Sequence, residues 1–235
     1  MRTLFLLALL LTPVRAEAPV LVAAASSLGP PLRELAGRFS QTQGLPVKLV
    51  LASSGKLLVQ IQKGAPYDLY LPADPAYLER LPEERLKAET RPFARGRLAL
   101  YLNPRLGLAP SGPGVLRDPR VRRVAVANPG LAPYGRAAVA LMRRHGLYPE
   151  VEAKLVYAEN VAQAARLAAF AADAGWIDLG AARRLGGPYW LAPTEDHPPI
   201  LYAAGLLRER GRAFLAFLQS PEARAVLARY GLEAP

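Results

Sequence analysis

The sequence predicts an α/β protein built as two lobes, and three observations support this prediction. Short apolar runs alternate along the chain with stretches in which apolar residues recur at helical spacing. The alternation forms two successive blocks, and two further helical stretches remain at the C-terminal end. With 235 residues, of which 51% are hydrophobic, the chain is long enough to bury a sizeable core. Such an alternation is typical of largely parallel sheets that carry helices on both faces.

The first block contains three predicted strands and three predicted helices. The run that ends at Ala25 is continuously apolar, as expected of a buried parallel strand. Pro30 and Pro31 stand where the first turn of a helix tolerates proline, and Gly44 is the kind of residue that ends one. The block predicts strands over 19–25, 47–51 and 68–71, and helices over 28–43, 57–63 and near 75–81.

The second block continues the alternation without repeating the sequence of the first. Gly146 follows a helical stretch in the same way as Gly44 does. The predicted strands cover 97–102, 121–127, 154–158, 175–179, 189–192 and 199–205. The predicted helices cover 134–145, 161–172, 208–218 and 221–230.

Residues 1–16 predict a secretory signal peptide. Arg2 precedes the short apolar run 4–11, and the small residues Ala16 and Ala18 offer two cleavage points. The run is too short to span a bilayer, and a buried N-terminal strand is the alternative interpretation. No later stretch is both long and apolar enough to cross a membrane. We therefore expect an exported protein that is soluble in the periplasm.

The composition excludes several kinds of site. The chain has no cysteine, which excludes disulfides, thiolate zinc sites, thiol nucleophiles and a lipid-modified cysteine anchor. Its two histidines, His145 and His197, are too few for a multi-histidine metal site. The net charge is +11, or +9 without residues 1–16. Because the basic residues are scattered rather than gathered in a run, this charge favours small anionic ligands over nucleic acid.

Four junctions between a predicted strand and a predicted helix share one character. In an open parallel sheet such junctions lie at the carboxyl edge, where these folds bind ligands, and each places the free N–H groups of a helix there. Serine hydroxyls add further donors. The junctions cover 25–27, 52–55, 132–135 and 158–161. Any one of them is explained by simple helix capping, but together they predict an anion site that needs no formal cation.

The same segments carry a resemblance to a known family. In order and spacing, the chain is similar to periplasmic molybdate-binding proteins, the substrate-binding components of molybdate ABC transporters, over nearly its whole length after the signal. The segments that carry this resemblance are VAAASSL, ASSGKLLVQIQKGAPYDLYLPAD, ANPGLAPYGRAAVALMRRHGL and YAENVAQA.

The resemblance implies a type II periplasmic-binding-protein fold, in which two α/β lobes hold the ligand in a cleft. On this basis we expect lobe 1 to cover 19–96, with 201–235 returning to it, and lobe 2 to cover 97–200. The ligand would be molybdate or tungstate, bound as an oxyanion through neutral donors, with no cofactor. The partner would be the membrane permease of an ABC transporter. Nothing in the sequence indicates an obligate oligomer, so we expect a monomer.

The family's ligand residues carry over to five positions. Ser26 matches a Ser or Thr of the family, Ser27 takes a neighbouring donor position that varies, and Ser54 matches the second serine of the ASS motif. Tyr134 and Val161 match residues that the resemblance implies donate their backbone N–H groups. Lobe 1 would thus supply three serines and lobe 2 two backbone donors, so that closing the lobes completes the shell.

The chain departs from the family's ligand residues at Asp178. At this position some members of the family carry a tyrosine that donates its hydroxyl, and others carry a small residue. An ionised carboxylate has no proton to donate, and it would repel a dianion by about 4 kcal/mol per charge pair at close range. We therefore expect Asp178 to point away from the oxyanion, or to bond to a nearby arginine or backbone N–H. Lys56 is expected to point to solvent rather than to bind the anion.

Three alternatives remain. The same fold could bind another anion, such as sulfate, phosphate or an organic carboxylate, although none of the four junctions has an arginine at a donor position. An exported hydrolase would use Ser26, Ser54 or Ser111, but no G-x-S-x-G motif is present, and a binding protein rather than an enzyme is expected. A basic protein that binds nucleic acid or an anionic surface would show a steep salt dependence.

Overall fold

The computed structural model describes residues 17–89 and 91–235, so the predicted signal peptide lies outside the described residues. The β-strands of this part of the chain are β1 (Val20–Ala25), β2 (Val47–Ala52), β3 (Leu69–Leu71), β4 (Ala88–Glu89), β5 (Ala94–Gly96), β6 (Leu98–Leu102), β7 (Val124–Ala127), β8 (Leu155–Ala158), β9 (Ala174–Asp178), β10 (Tyr189–Leu191), β11 (Ile200–Tyr202) and β12 (Gly205–Leu206). The α-helices are α1 (Gly29–Gln43), α2 (Ser54–Gln62), α3 (Ala76–Glu79), α4 (Pro133–Arg144), α5 (Tyr148–Val151), α6 (Val161–Phe170), α7 (Leu179–Leu185), α8 (Arg212–Leu218) and α9 (Pro221–Arg229).

Two five-stranded sheets define the two lobes. The sheet of lobe 1 has the order β2-β1-β3-β12-β4, and the sheet of lobe 2 has the order β10-β6-β9-β7-β8. A third, two-stranded sheet pairs β5 with β11 in antiparallel register and connects the lobes. We call this third sheet the crossing ribbon. The chain enters lobe 2 directly after β5 and returns to lobe 1 directly after β11.

Both sheets are mixed: in each of them four strands run in one direction, and one strand, β12 in lobe 1 or β6 in lobe 2, runs against them. In lobe 1, β1 pairs in parallel with β2 and β3, whereas β12 runs antiparallel to β3 and β4. In lobe 2, β7 is parallel to β8 and β9, whereas β6 is antiparallel to β9 and β10. The antiparallel strands β6 and β12 follow the crossing ribbon directly. A strand that enters a sheet without a helical crossover is not constrained to run parallel to its neighbour.

Local sequence rules predicted most of the helices and strands, but the structure departs from the prediction in two places. Helix α1 ends at Gly44, which takes the left-handed conformation with φ of 68°, as predicted. The predicted strand 199–205 is instead two strands, β11 and β12, that belong to different sheets. Sequence reasoning missed α7, a seven-residue helix whose first turn is capped by the side chain of Asp178.

The C-terminal helices pack on lobe 1. Phe214 of α8 meets Phe39 of α1 edge to face, with ring centroids 5.1 Å apart, and Phe217 lies 5.6 Å from the same ring. These contacts join the end of the chain to the helix that follows β1.

In residues 17–89 and 91–235, no helix is long and apolar enough to cross a membrane.

Candidate anion-binding site

The four strand–helix junctions converge on one small cavity between the lobes. It holds about 200 Å³ of space not filled by atoms, part of it open to solvent. The residues that line it are all uncharged: Ala25, Ser26, Ser27, Ala52, Ser53, Ser54, Ala73, Ala132, Pro133, Tyr134, Asn160 and Val161. The structure thus brings all five predicted site residues together around one cavity that has polar donors and no ionised side chain.

Lobe 1 contributes the ends of two neighbouring parallel strands. Ala25 at the end of β1 lies opposite Ala52 at the end of β2, so the residues that follow both strands emerge side by side. After β1 the chain turns directly into a short 3₁₀ helix, Ser26–Leu28. After β2, Ser53 caps α2 by accepting a hydrogen bond from the Lys56 N–H at 3.4 Å. Ser54 is therefore the first residue of α2.

Lobe 2 faces these serines with a matching pair of helix starts. The ends of β7 and β8 lie side by side, with Ala127 opposite Ala158. Helix α4 begins with Pro133, a residue suited to a first turn because it has no N–H to satisfy. Helix α6 is capped by Asn160, whose side chain accepts from the Gln163 N–H at 3.0 Å. Two helix N-termini from lobe 2 therefore point their partial positive charge at the cavity.

The hydroxyl of Ser54 has a defined orientation. Its Oγ accepts a hydrogen bond from the Ala73 N–H at 3.1 Å, and its carbonyl oxygen accepts one from the Tyr70 hydroxyl at 2.7 Å. The side chain is 1% exposed. A hydroxyl that already accepts one bond keeps its proton for another partner. Because Ser54 lines the cavity, that partner can be an anion inside it.

The backbone N–H groups of Tyr134 and Val161 stand in the first turns of α4 and α6. First-turn N–H groups have no acceptor within their own helix. In the part of the chain that the structure describes, neither N–H donates to another protein group. Both residues are buried. An anion in the cavity is the kind of acceptor that satisfies such donors without a formal positive charge.

If the donor at Val161 is its backbone N–H, trimming the side chain should matter little. We expect Val161→Ala to change the affinity for the anion that the sequence predicts, molybdate, by less than about threefold, because the main-chain donor stays in place. Isothermal titration calorimetry measures this change. Val139→Ala, a buried valine of α4 outside the cavity, is the matched packing control. An affinity loss at Val161 alone of tenfold or more would show that the side chain itself contacts the ligand.

Hydrogen bonds and an ion pair join the two lobes. The Gly55 N–H of lobe 1 donates to the Leu131 carbonyl of lobe 2 at 2.9 Å. Nearby, Arg136 of lobe 2 pairs with the carboxylate of Asp74 and donates to the Tyr77 hydroxyl at 3.0 Å. These bonds cross the cleft, so the structure shows the lobes closed on each other.

Lys56 adds a further bond across the cleft. Its Nζ lies 2.8 Å from an oxygen of Glu159 in lobe 2, and this bond lowers the pKa of the Glu159 carboxyl. The side chain of Lys56 is about half exposed, and it does not line the small cavity. The expectation that Lys56 points to solvent was therefore incomplete, because its charge is paired across the lobes.

Asp178 does not line the small cavity. One of its carboxylate oxygens accepts a hydrogen bond from the Ala181 N–H at 2.8 Å, which caps α7. The prediction that this carboxylate bonds to a backbone N–H is confirmed. Burial raises the pKa of Asp178, while the bond from Ala181 and the charge of Arg184 act in the opposite direction.

A larger, basic groove opens beside the cavity. It shares Ser26, Ser27, Ala52 and Asn160 with the cavity lining. The cationic side chains that line it are Arg33, Lys56, Arg166 and Arg184, against the acidic side chains of Glu159 and Asp178. The positive balance of the groove attracts anions toward the neutral cavity, which fits the preference for small anionic ligands inferred from the net charge.

Sequence reasoning missed one polar residue next to the site. Tyr202, the last residue of β11, is fully buried, and its hydroxyl lies 2.6 Å from the Oγ of Ser27. In the sequence Tyr202 is simply a tyrosine in a predicted strand, and no motif connects it with Ser27. Only the crossing ribbon brings the two residues together.

Comparison with known proteins places the chain in a family. A model of the family described as bacterial extracellular solute-binding protein matches residues 20–233. The molybdate-binding protein ModA of Rhodobacter capsulatus is 31% identical over 225 residues, which are 92% of this chain and 88% of that protein. The chain belongs to the molybdate-binding family of bacterial extracellular solute-binding proteins. The resemblance inferred from the four sequence segments is thereby confirmed.

Further family members agree in sequence and in fold. ModA of Azotobacter vinelandii is 30% identical over 226 residues, which are 91% of this chain and 89% of that protein. The solved structure of an Azotobacter vinelandii periplasmic molybdate-binding protein matches with a TM-score of 0.84 at 28% identity, covering 92% of this chain and 99% of that one. This match confirms the predicted two-lobed periplasmic-binding-protein fold.

Proposed function

We propose that this chain captures molybdate or tungstate in the cavity between its lobes and delivers the ion to an ABC transporter. The observation that carries the proposal is the convergence of neutral donors from both lobes on one small cavity. Membership of the molybdate-binding family supports the choice of ligand. The basic groove beside the cavity supports an anion of some kind.

In this proposal the two lobes share the coordination. Ser26, Ser27 and Ser54 of lobe 1 donate their hydroxyl protons to the oxyanion. Tyr134 and Val161 of lobe 2 donate their backbone N–H groups. A bond to a charged acceptor is stronger than one between neutral groups, so several such donors can hold a dianion without an ion pair. Closing the lobes completes this shell around the ion.

Selection among tetrahedral anions follows from size. All of these ions present the same pattern of acceptors, so donor identity alone cannot separate them. Donors fixed at the spacing of the longer metal–oxygen bonds cannot contract fully onto sulfate, and its hydrogen bonds therefore lengthen and weaken. Binding of sulfate, phosphate or an organic carboxylate in the same fold is the alternative.

The proposal extends to the way in which the protein works. We propose a monomeric binding protein rather than an enzyme, exported to the periplasm by residues 1–16, that needs no cofactor and docks on a membrane permease. Lobe 1 would cover 19–96 together with 201–235, and lobe 2 would cover 97–200. The supporting observations are the two ModA relatives, which are named as molybdate-binding proteins, and the direct connections of the crossing ribbon to both lobes.

Thermal unfolding tests the ligand directly. A ligand at 100 times its Kd stabilises the folded state by about 2.7 kcal/mol, and a chain of this size gains roughly 2–4 °C in Tm for each kcal/mol. We expect the Tm of the chain without residues 1–16 to rise by several degrees with molybdate and with tungstate. Sulfate and phosphate at the same concentration and ionic strength are the controls, and they should give little change. An equal or larger shift with sulfate or phosphate would contradict the proposal and support the alternative.

A further inference from the structure

One short segment of lobe 2 contacts both serine-bearing junctions of lobe 1. Residues 159–162, which we call the closing segment, lead from the end of β8 into the first turn of α6. The Ala162 N–H donates to the Ser26 Oγ at 3.4 Å, just after β1. An oxygen of the Glu159 carboxylate lies 2.8 Å from the Nζ of Lys56, in the first turn of α2. The closing segment is therefore bonded to lobe 1 at two places.

The bond to Ser26 concerns one of the proposed ligand donors directly. A hydroxyl has one proton to donate and two lone pairs with which to accept. Because the Ser26 Oγ accepts from the Ala162 N–H, this bond uses a lone pair and leaves the serine proton for an acceptor in the cavity. The Val161 N–H, a proposed donor of lobe 2, belongs to the same closing segment. The position of this segment on lobe 1 therefore affects one donor of each lobe.

The carboxylate of Glu159 is ionised at neutral pH and has partners in both lobes. Its bond with Lys56 lowers the pKa of the Glu159 carboxyl, and the side chain of Asn160 and the backbone N–H of Ser53 act in the same direction. Lys56 and Ser53 belong to lobe 1, whereas Asn160 is the neighbour of Glu159 in lobe 2. The negative charge of the closing segment is thus held mainly by groups at the start of α2.

The ion pair between Lys56 and Glu159 lies outside the small cavity. Both side chains line the basic groove beside it, and neither lines the cavity itself. Because the two residues belong to different lobes, the pair exists only while the lobes are together, and it is lost when they separate. A bond of this kind stabilises the closed arrangement alone. It slows the opening of the cleft and leaves the entry of a ligand into an open cleft unchanged.

We propose that Lys56 and Glu159 are positioning residues, whose ion pair holds the closing segment on lobe 1 and thereby slows the release of the bound anion. This inference rests on the proposed function, because it takes the anion as bound between the lobes. The two residues act without touching the ligand. The competing role for Glu159 is that of a nearby negative charge that repels the anion, and it predicts the opposite effect when this charge is removed.

The test measures how fast radiolabelled molybdate leaves each variant after dilution into excess unlabelled molybdate. We expect Glu159→Gln to speed release roughly two- to fivefold, as for loss of one partly exposed ion pair. Lys56→Glu should speed release by about tenfold, because two carboxylates then face each other across the cleft. In the Lys56→Glu background, Glu159→Gln should slow release several-fold, because it removes this repulsion. The effect of Glu159→Gln should therefore change sign between the two backgrounds.

The sign of the effect of Glu159→Gln decides between the possible roles of this residue. Faster release in both backgrounds would show that the side chain acts through its shape or packing. Slower release in both would show that its charge repels the anion. Either result would overturn the inference. Dividing the release rate by the calorimetric Kd gives the association rate, which should stay within about twofold of the wild type for Glu159→Gln. An effect confined to association would also overturn the inference.

Two control variants and a change of salt concentration complete the test. Glu150→Gln breaks the ion pair of Arg117 with Glu150, whose 2.7 Å bond lies within lobe 2, and it should leave release unchanged. Lys56→Arg keeps the positive charge and should release molybdate at close to the wild-type rate. Raising the salt from about 0.1 M to about 1 M shortens the screening length from roughly 10 Å to roughly 3 Å. The difference between Glu159→Gln and the wild type should therefore shrink, whereas a packing effect would persist.

Titration of the wild type separates this inference from the proposed function. If the wild type does not bind molybdate, the proposed function fails and the role of the ion pair fails with it. If the wild type binds molybdate and Glu159→Gln releases it at the wild-type rate, only the role of the ion pair is overturned. The change of sign between the two backgrounds supports both.

Discussion

Ser54→Ala should lower the affinity for molybdate by about 10- to 100-fold. The substitution removes one hydrogen bond to a charged acceptor, which contributes roughly 1.5–3 kcal/mol. The structure indicates why this serine matters: its Oγ accepts from the Ala73 N–H, which leaves its proton for the cavity. The same contact predicts a second effect, because the buried Ala73 N–H loses its acceptor. We therefore expect the ligand-free protein to lose about 1–3 kcal/mol of stability as well.

Separating these two effects requires affinity and stability to be measured on the same variants. Calorimetric titration with molybdate gives the affinity, and thermal unfolding without ligand gives the stability. Ser220→Ala is the matched control, because the Ser220 Oγ accepts from the Ala223 N–H at 3.1 Å at the start of α9, away from the cavity. It should cost roughly 1 kcal/mol of stability and leave the affinity unchanged. If Ser54→Ala behaved like this control, Ser54 would be a structural residue and not a ligand.

Gly135→Ala should damage both folding and binding. A Cβ at this position would lie 2.0 Å from the carbonyl oxygen of Ala127 and 2.8 Å from its carbonyl carbon. Both atoms belong to the backbone of β7, so the first turn of α4 must move to make room. Overpacking of this kind typically costs about 1–3 kcal/mol and sometimes more. The movement also carries the Tyr134 N–H away from the cavity, and we expect the affinity to fall by about tenfold or more.

Thermal unfolding with and without molybdate measures both consequences. Gly37→Ala is the matched control, since nothing lies within 4 Å of a Cβ there and the residue is in the interior of α1. That control should stabilise the protein by about 0.5–1 kcal/mol, because alanine loses less backbone freedom on folding than glycine. A Gly135→Ala protein with wild-type Tm and affinity would show that α4 can move without disturbing the site.

The convergence of the four junctions was predictable because local rules produce each of them. A strand that ends in a serine or alanine and passes into a helix leaves free N–H groups at the edge of a parallel sheet. The adjacent parallel pairs β1 with β2 and β7 with β8 then bring the junctions together two by two. The bond of Asp178 to a backbone N–H followed from similar reasoning, since a carboxylate without a proton needs donors of its own, although the helix that this bond caps was not predicted.

The features that the sequence did not predict depend on contacts between residues far apart in the chain. Nothing local showed that 199–205 divides between the crossing ribbon and the sheet of lobe 1, or that one strand of each sheet runs against the other four. The bond between Ser27 and Tyr202 joins residues separated by 175 positions. The pairing of Lys56 with Glu159 likewise exists only because the lobes meet. Helical and strand periodicity contains no information on such partners.

The position of β12 in the sheet of lobe 1 sets the order in which the molecule can be completed. This strand pairs with both β3 and β4, yet it is made of Gly205 and Leu206, near the end of the chain. All the strands of lobe 2, by contrast, lie between Leu98 and Leu191. Strands β1 to β4 of lobe 1 are synthesised before lobe 2. The sheet of lobe 1 nevertheless stays incomplete until β12 has been synthesised, after every strand of lobe 2.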